Sequence, residues 1–299
     1  MDEKRIVFDF EVEFSNGGSI QGQDFRLDIT GDDITDEALA AHIVADMRLL
    51  MVGAVHIRNK RIIAERHKRG ADDVSAAGAS IRRIDLSHTI EHGMVTYRGL
   101  PAPLICDHLS REASRSIYAE GTEFQIGRIE MVGNTGTYLD TPYHRYADGY
   151  DLSGLDLDRV SGVPGLVVRI GDRTGREIGA AMFDGLNVAG YAVLVHTGWD
   201  RHWRTDRYFE NHPFLTAGAA THLRDAGALL VGIDSFNIDD VAGGERPVHT
   251  ILLGAGIPIV EHMTNLAALP DRDFRFWAVP PKVKAMGTFP VRAHATVGG

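Results

Sequence analysis

The chain has 299 residues, of which 44% are hydrophobic and 24% are charged, and its formal net charge is −10 at pH 7. A chain of this length and composition can bury a substantial core and can hold one large domain together with a smaller one. The acidic balance argues against a nucleic-acid-binding surface, because such a surface needs a patch rich in lysine and arginine.

The composition also restricts cellular location and metal chemistry. No window approaches the roughly 18 consecutive apolar residues that span a bilayer, and the first residues lack the apolar stretch of a secretory signal. We therefore expect a cytoplasmic protein. The lone cysteine, Cys106, excludes an internal disulfide and a multi-thiolate zinc site. Any metal ion would have to be bound by histidine and carboxylate side chains.

Residues 1–66 are predicted to form a small α+β accessory domain. In "RIVFDFEVEF" apolar residues alternate with mostly charged ones, which is typical of a half-buried strand. The "NGG" at 16–18 predicts a turn, and "QDFRLDI" predicts the returning strand of a hairpin. A helix is expected next, with acidic candidates for its N-cap and first turn and an apolar face; these residues are Asp32, Asp33, Asp36 and Glu37, and Leu39, Ile43, Met47 and Leu50. "AVHIRNKRIIA" predicts a closing strand or hairpin.

A linker is predicted at residues 67–80, where "HKRGADDVSAAGAS" consists mostly of small and charged residues with little to bury. From residue 81 onward short apolar strands alternate with helical segments, so residues 81–299 are predicted to form a second, α/β domain. Its strands are "PGLVVRI", "YAVLVHT", "ALLVGID" and "IPIVE". The helical "LTAGAATHLRDAG" lies between the second and third strands, which predicts a βαβ crossover and a partly parallel sheet.

The segment "GNTGTYLDTPYHRYADG", residues 133–149, carries a candidate site. Asp140 and His144 are separated by a stretch containing Pro142, which makes an ordinary helix through them improbable. They are therefore expected on an irregular loop, where functional side chains are often held. The alternative is structural: Asp140 caps a turn and His144 is satisfied by the backbone.

A second candidate segment is "HTILLGAGIPIVEHMTNL", where His249 precedes an apolar run and Glu261 ends a buried strand. A buried carboxylate is costly unless it is paired or bound to a metal ion. Histidine and carboxylate ligands together suit zinc or manganese.

These segments resemble the metal-dependent cyclase family, which includes bacterial kynurenine formamidases, isatin hydrolases and trans-dienelactone hydrolases. The resemblance covers roughly residues 81–299; it runs from "IDLSHTIEHGMVTYRG" through both candidate segments, "VLVHTGWD" and "VGIDSFNID", and ends at "GTFPVRAHA". It implies a swivelling β/β/α domain with mixed sheets, hydrolysis of a small amide, lactam or lactone, and assembly into dimers or tetramers.

The family's signature loop is His-x-Gly-Thr-His-x-Asp-x-Pro-x-His, and this chain departs from it at two positions. Residues Gly136, Thr137, Asp140, Pro142 and His144 match, but Asn134 and Tyr138 stand where the family has its first two histidines, which are metal ligands. Neither an amide nor a phenol with a pKa near 10 replaces an imidazole well at zinc. A two-ion site is therefore not expected.

By resemblance, the remaining ligands Asp140, His249 and Glu261 would hold one zinc or manganese ion, which activates water with the help of Asp140. His144 would shuttle the proton, a task suited to a side chain type that titrates near neutrality. We expect Asn134 and Tyr138 to contact substrate. His196 and Trp199, which follow a buried strand, are further candidates for substrate contact, although packing at the strand end explains them equally well.

Two alternatives to metal-dependent hydrolysis stay open at this point. In the first, no metal binds and the polar residues form a hydrogen-bonded network for a cyclase or lyase reaction on a small carbonyl compound. In the second, the chain binds a small molecule without turning it over. Asp234 and Asp239 also follow a predicted strand, where ligand loops gather, but aspartates at such positions also stabilise turns.

Overall fold

The computed structural model describes residues 4–29, 33–47, 49, 51–64, 81–171 and 175–298. The chain divides into two compact units, Met1–Ala77 and Gly78–Gly299. The predicted linker, residues 67–80, lies outside the described residues, as do the last two residues of the predicted 1–66 domain. Both boundaries therefore stay predictions.

The first unit is a three-stranded antiparallel sheet with one helix. Its elements are β1 (Lys4–Phe14), β2 (Ser19–Ile29), α1 (Asp36–Asp46) and β3 (Val52–Ala64), and the strand order is β2-β1-β3. The alternating apolar residues of β1 are buried, among them Ile6, Phe8 and Val12, and they share one core with Leu39 and Ile43 of α1. The alternating apolar residues of β1 therefore lie on one face of the sheet, and α1 covers that face.

Helix α1 differs from the prediction at both ends. Its N-cap is Thr35, whose hydroxyl accepts a hydrogen bond from the Ala38 amide at 3.2 Å, while Asp36 and Glu37 lie in the first turn. The backbone of Thr35 is extended, so its side-chain oxygen can reach a free backbone amide in the first turn of the helix, as capping requires. Met47, predicted on the apolar face, follows the last helical residue and is 43% exposed. Asp32 and Leu50 lie outside the described residues.

The second unit contains the other helices and strands of the described chain. The helices are α2 (Arg111–Ser114), α3 (Ala217–Asp225) and α4 (Pro247–Gly254). The strands are β4 (Arg82–Asp85), β5 (Leu104–Leu109), β6 (Ile126–Glu130), β7 (Tyr138–Asp140), β8 (Ser161–Arg169), β9 (Glu177–Ile178), β10 (Ala192–His196), β11 (Phe214–Leu215), β12 (Leu230–Ile233), β13 (Ile259–Glu261), β14 (Phe274–Trp277), β15 (Thr288–Pro290) and β16 (His294–Val297).

A nine-stranded mixed sheet organises this unit, in the order β15-β7-β13-β12-β10-β8-β14-β16-β4. Its four central strands, β8, β10, β12 and β13, are parallel and correspond to the predicted apolar runs. Ala192 pairs with Leu230, and α3 lies between their strands in the chain, so the predicted βαβ crossover is confirmed. The flanking strands are antiparallel. The predicted α/β class with a mixed sheet is likewise confirmed.

Alternate residues of the central strands enter two different cores. Val193 and Val195 of β10 belong to a core shared with α3 and α4, whereas Leu194 belongs to a core with Phe276 of β14 and Ala295 of β16. Helices therefore cover one face, and the curled antiparallel part of the sheet covers the other. In the described parts of both units, no helix is long and apolar enough to cross a membrane.

Candidate active site

A cavity of about 630 Å³ opens beside β7, β13 and the first turn of α4. A cavity of this size accommodates a small organic molecule. It is lined by aromatic, amide, charged and imidazole side chains, namely Tyr97, Leu100, Asn134, Tyr138, His144, Arg145, Asn237, Gly244, Glu245, Arg246, His249 and Glu261. Five residues that the sequence predicted for the site are among them, namely Asn134, Tyr138, His144, His249 and Glu261, whereas Asp140 is not.

The pairing of β7 with β13 brings the two candidate segments together. Tyr138 lies opposite Glu261 in the antiparallel register, and the Tyr138 hydroxyl donates to Glu261 Oε2 at 2.7 Å. The Ile238 amide donates to Glu261 Oε1 at 2.6 Å. Leu139, which alternates to the other face, enters the hydrophobic core instead. Both oxygens of the buried Glu261 therefore have hydrogen-bond partners.

Asp140 and His144 are linked through Thr288. Strand β15 pairs with β7 so that Thr288 lies opposite Asp140, and the Thr288 hydroxyl donates to Asp140 Oδ1. The same hydroxyl lies 2.8 Å from Nδ1 of His144, in the 3₁₀ helix Pro142–His144. Oδ2 of the fully buried Asp140 has no hydrogen-bond partner among the described residues. This orphaned oxygen is available to a ligand.

His249 is oriented by a carboxylate that also caps its helix. Asp239 accepts hydrogen bonds from the amides of Val248 at 2.7 Å and His249 at 3.0 Å, in the first turn of α4. Its Oδ2 also lies 2.6 Å from His249 Nδ1. The ring is thereby fixed with Nε2 toward the acids, 3.7 Å from Asp140 Oδ2 and 3.9 Å from Glu261 Oε2.

The buried acids and imidazole shift one another's ionisation. Burial opposes protonation of His249, but Glu261, with Asp140 and Asp239, outweighs it and raises the pKa of His249 to about 10. Burial raises the pKa of Glu261 against the opposing effect of His249. Burial also raises the pKa of Asp140, but the effects of His144, His249 and Thr288 are together larger and lower that pKa below its usual value.

Tyr138 stays protonated in this site. Burial, followed by the charges of Glu261 and Asp140, raises the pKa of Tyr138 well above its usual value. The phenol is therefore a hydrogen-bond donor near neutral pH and not an anionic metal ligand.

Among the described residues, one group of side chains has the geometry of a metal site. Donor atoms of Asp140, His144 and His249 all lie within 4.8 Å of one another, a separation that ligands of one ion can reach with small adjustments. Two imidazoles and one carboxylate suit a divalent ion such as zinc or manganese, and the orphaned Asp140 oxygen supports the fit. The predicted set of Asp140, His249 and Glu261 differs by one member, because the cluster contains His144 where the prediction has Glu261.

The predicted substrate contacts fall into two groups. Asn134 and Tyr138 line the cavity, but His196 and Trp199 are not among its lining residues. Trp199 is 9% exposed and donates from Nε1 to the Tyr208 carbonyl at 3.0 Å. His196 Nδ1 lies 3.2 Å from an Arg169 terminal nitrogen. The predicted substrate contacts of His196 and Trp199 therefore stay predictions, and packing at the strand end stays their alternative.

Several residues of the site were not identified from the sequence. Thr288 carries no local signal, because its role depends on the pairing of β15 with β7. Asp239 was noted only as a strand-exit aspartate, and its role appears only once α4 is seen to begin at Pro247. The cavity wall is completed from three connections, by Tyr97, by Arg145, and by Asn237 together with Arg246.

Comparison with known proteins decides the family. The family model described as "Putative cyclase" matches residues 84–240, more than half of the chain. The chain belongs to the cyclase family. It is 31% identical over 178 residues to a kynurenine formamidase of Geobacillus thermodenitrificans, covering 58% of this chain and 81% of that protein.

Solved structures show the same fold. An isatin hydrolase bound to the product analogue thioisatinate superposes with a TM-score of 0.62 at 20% identity, covering 73% of this chain and 93% of that one. A structure described as a potential metal-dependent hydrolase with cyclase activity superposes with a TM-score of 0.56 at 23% identity. The superposition covers 74% of this chain and 100% of that one. The resemblance stated from the sequence is confirmed, and this cyclase-family chain is a hydrolase.

Proposed function

We propose that the chain hydrolyses a small aryl amide or lactam in this cavity, using one divalent ion and His144 as the proton carrier. The observation that carries the proposal is the convergence of Asp140, His144 and His249 donor atoms within 4.8 Å, with a buried Asp140 oxygen free to bind. The relatives named as kynurenine formamidase and isatin hydrolase support the amide or lactam class.

The ion, zinc or manganese, would be held by Asp140 and His249 with Glu261 as the third ligand, while His144 carries the proton. When bound, it would supply Lewis-acid polarisation of the substrate carbonyl. Asp239 would keep one proton of His249 on Nδ1, so that Nε2 would be the nitrogen that gives up its proton to bind an ion.

The hydrogen-bond chain through Thr288 favours His144 as the base. The Thr288 hydroxyl has one hydrogen and donates it to Asp140, so its oxygen accepts from the His144 Nδ1–H. The other ring nitrogen, Nε2, then carries the lone pair, at the cavity wall. His144 can thus take a proton from water and give it to the leaving nitrogen of the amide.

Tyr138 and Asn134 act on the substrate as neutral polar groups. The Tyr138 hydroxyl is held by Glu261, and Asn134 lies close enough to hydrogen-bond that hydroxyl. Donors fixed in this way beside the reacting carbonyl can stabilise the negative charge that develops on its oxygen. This assignment gives the two positions that depart from the family signature a function in orientation and charge stabilisation.

Metal content and His144 variants test the proposal together. The purified protein, grown with zinc and manganese, should contain about one equivalent of metal and hydrolyse formanilides or isatin-like lactams; less than about a tenth of an equivalent would contradict it. His144→Gln should keep the metal and lose turnover if His144 carries the proton. Loss of metal in this variant would assign His144 as the third ligand instead, with Glu261→Gln as the matched comparison.

A second candidate is metal-independent acid–base chemistry on a small carbonyl compound. It is favoured by the engagement of both Glu261 oxygens and by a His249 whose pKa of about 10 keeps it cationic beside two acids. Full turnover by protein from which chelators have removed all metal would select this candidate. Binding of amides without any turnover would select a binding protein.

We also propose that the protein is a cytoplasmic homodimer or homotetramer, as the family resemblance implies. Strands β5 and β6 support this, because their two-stranded sheet exposes Ile105, Ile126 and Ile129, and such a sheet is marginally stable on its own. A second copy of the chain is the occupant that the proposal names. Light scattering that gives the mass of a single chain would contradict it.

A further inference from the structure

The backbone of His144 packs directly on Gly287, the residue before β15. A Cβ added at Gly287 would lie 2.6 Å from the His144 Cα, closer than Cβ atoms approach in proteins, so any side chain there would displace His144. The Gly287 carbonyl accepts from the Thr141 amide at 2.8 Å and from the Thr141 hydroxyl at 3.0 Å. The next residue, Thr288, contacts the His144 ring. The backbone and the ring of His144 therefore both depend on where residues 287–288 lie.

The chain enters these residues through an unusual turn at Ala285, whose backbone φ is 60°. Residues other than glycine rarely adopt this left-handed conformation, because Cβ then crowds the backbone. Ala285 is exposed, but its amide donates to Asp151 Oδ2 at 2.6 Å. The neighbouring Met286 carbonyl accepts from the Leu152 amide at 2.9 Å. Hydrogen bonds from residues 151–152 thus stabilise the turn that leads into β15.

Asp151 is itself fixed by the turn that follows it. Its Oδ1 accepts from the Ser153 amide at 2.8 Å, the Ser153 hydroxyl at 2.6 Å and the Gly154 amide at 3.1 Å. The hydrogen bond from Ser153, followed by that from the Ala285 amide, lowers the pKa of Asp151 to about 2. Near neutral pH the carboxylate is therefore ionised, and its second oxygen is held toward Ala285.

We propose that Asp151 is a positioning residue for His144 and acts on it through residues 285–287. Asp151 is not among the residues that line the cavity. By fixing the turn at Ala285 it fixes Gly287, on which His144 packs. The inference rests on the proposed function of His144 as the proton carrier and adds a residue outside the cavity. Proton transfer depends steeply on geometry, so a small displacement of His144 lowers turnover more than substrate affinity.

Asp151→Asn breaks this link selectively. The amide keeps one acceptor oxygen for the donors of its own turn, but its NH2 group would face the Ala285 amide, so that a donor meets a donor. On a formanilide that the wild type hydrolyses, kcat should fall by about ten-fold, while KM and metal content stay unchanged. Asp156→Asn is the matched control, because Asp156 is exposed and caps its own turn through the Asp158 amide. An equal decrease of kcat in both variants would overturn the inference.

A double-mutant cycle with His144→Gln shows whether Asp151 acts through His144. Once His144 is replaced, Asp151→Asn should have no further effect on the residual kcat, measured at high enzyme concentration. A further loss of about ten-fold would overturn the inference, because Asp151 would then act on another group. Gly287→Ala should lower kcat as Asp151→Asn does. Gly179→Ala should not, because no atom lies within 4 Å of the added carbon there.

Amide hydrogen exchange separates failure of this inference from failure of the proposed function. If the wild type hydrolyses no formanilide, the proposed function fails for this substrate class, but the Thr141 amide still reports on its hydrogen bond to Gly287. Asp151→Asn should speed exchange of this amide by about ten-fold, and Asp156→Asn should not. An unchanged Thr141 exchange rate in Asp151→Asn would overturn the inference, whether or not the protein hydrolyses amides.

Discussion

The buried histidines of this protein fall into two groups with opposite chemistry. His249, His262 and His212 are all at most 6% exposed. Burial lowers the pKa of His262 to about 3 and that of His212 to about 4, whereas nearby carboxylates overcome burial and raise the pKa of His249 to about 10. His262 is surrounded by the rings of Tyr208, Phe236 and Trp203. The three acids around His249, which are Asp140, Asp239 and Glu261, therefore distinguish the candidate active site from the other buried histidines, and burial alone does not.

The largest effect is expected from His249→Gln. Removing the imidazole that faces Asp140 and Glu261 should abolish stoichiometric metal binding and reduce kcat/KM by about a thousand-fold. Elemental analysis and amide hydrolysis measure the two effects. His212→Gln, which changes a buried histidine of the other group, should retain its metal. Equal metal loss in both variants would mean that any buried histidine is needed for the fold, and the contrast would fail.

Asp239→Asn should weaken metal binding or activity by about ten-fold to a hundred-fold, because His249 Nδ1 loses its carboxylate partner. Competition with a chelator measures the affinity. Asp234→Asn is the matched control, since Asp234 is also buried and also binds main-chain amides, those of Thr197 and Gly198. An equal loss in the control would show that the effect is general destabilisation.

His212→Gln should make the protein less sensitive to acid. The folded pKa of about 4 lies below the usual 6.5, so the unfolded state takes up a proton first as pH falls, and stability is lost between pH 6.5 and about 4. By pH 5 this costs about 2 kcal/mol relative to pH 7. Urea unfolding at both values should show that the variant loses about 2 kcal/mol less stability between pH 7 and pH 5 than the wild type does. The exposed His108→Gln variant should behave as the wild type does.

Thr288→Val should have the smallest effect, a loss of activity of about ten-fold or less, because one neutral hydroxyl between Asp140 and His144 is removed. The pH profile of kcat provides the sharper measurement. It should shift if His144 carries the proton, and Thr288→Ser should restore it. A profile identical to that of the wild type would remove Thr288 from the proton path.

The sequence predicted the parts of the fold that depend on local patterns. Apolar runs gave the four parallel strands, and alternation gave β1. The antiparallel strands β14, β15 and β16 are short, and their pairing partners are distant in the chain, so periodicity did not reveal them. Helix α4 was not predicted, because the sequence showed only that His249 precedes an apolar run.

For the site, resemblance placed Asp140, His144, His249 and Glu261 in one neighbourhood. It could not show that Glu261 is engaged by Tyr138 and by the Ile238 amide, because both contacts depend on side-chain directions across β7 and β13. The capping role of Asp239 likewise depends on where α4 begins. Local spacing identifies which groups can meet, whereas strand register and helix ends determine which of them do.

Asp239 joins two structural events that are usually separate. The same carboxylate binds the first amides of α4 and the ring of His249, so unwinding that turn and releasing the imidazole happen together. By thermodynamic reciprocity, a ligand that binds Nε2 more tightly when the Asp239 contacts are formed also stabilises the start of the helix, and a change that stabilises these contacts raises the affinity for that ligand. Formation of the first turn of α4 and ligand binding at His249 Nε2 are therefore thermodynamically linked through Asp239.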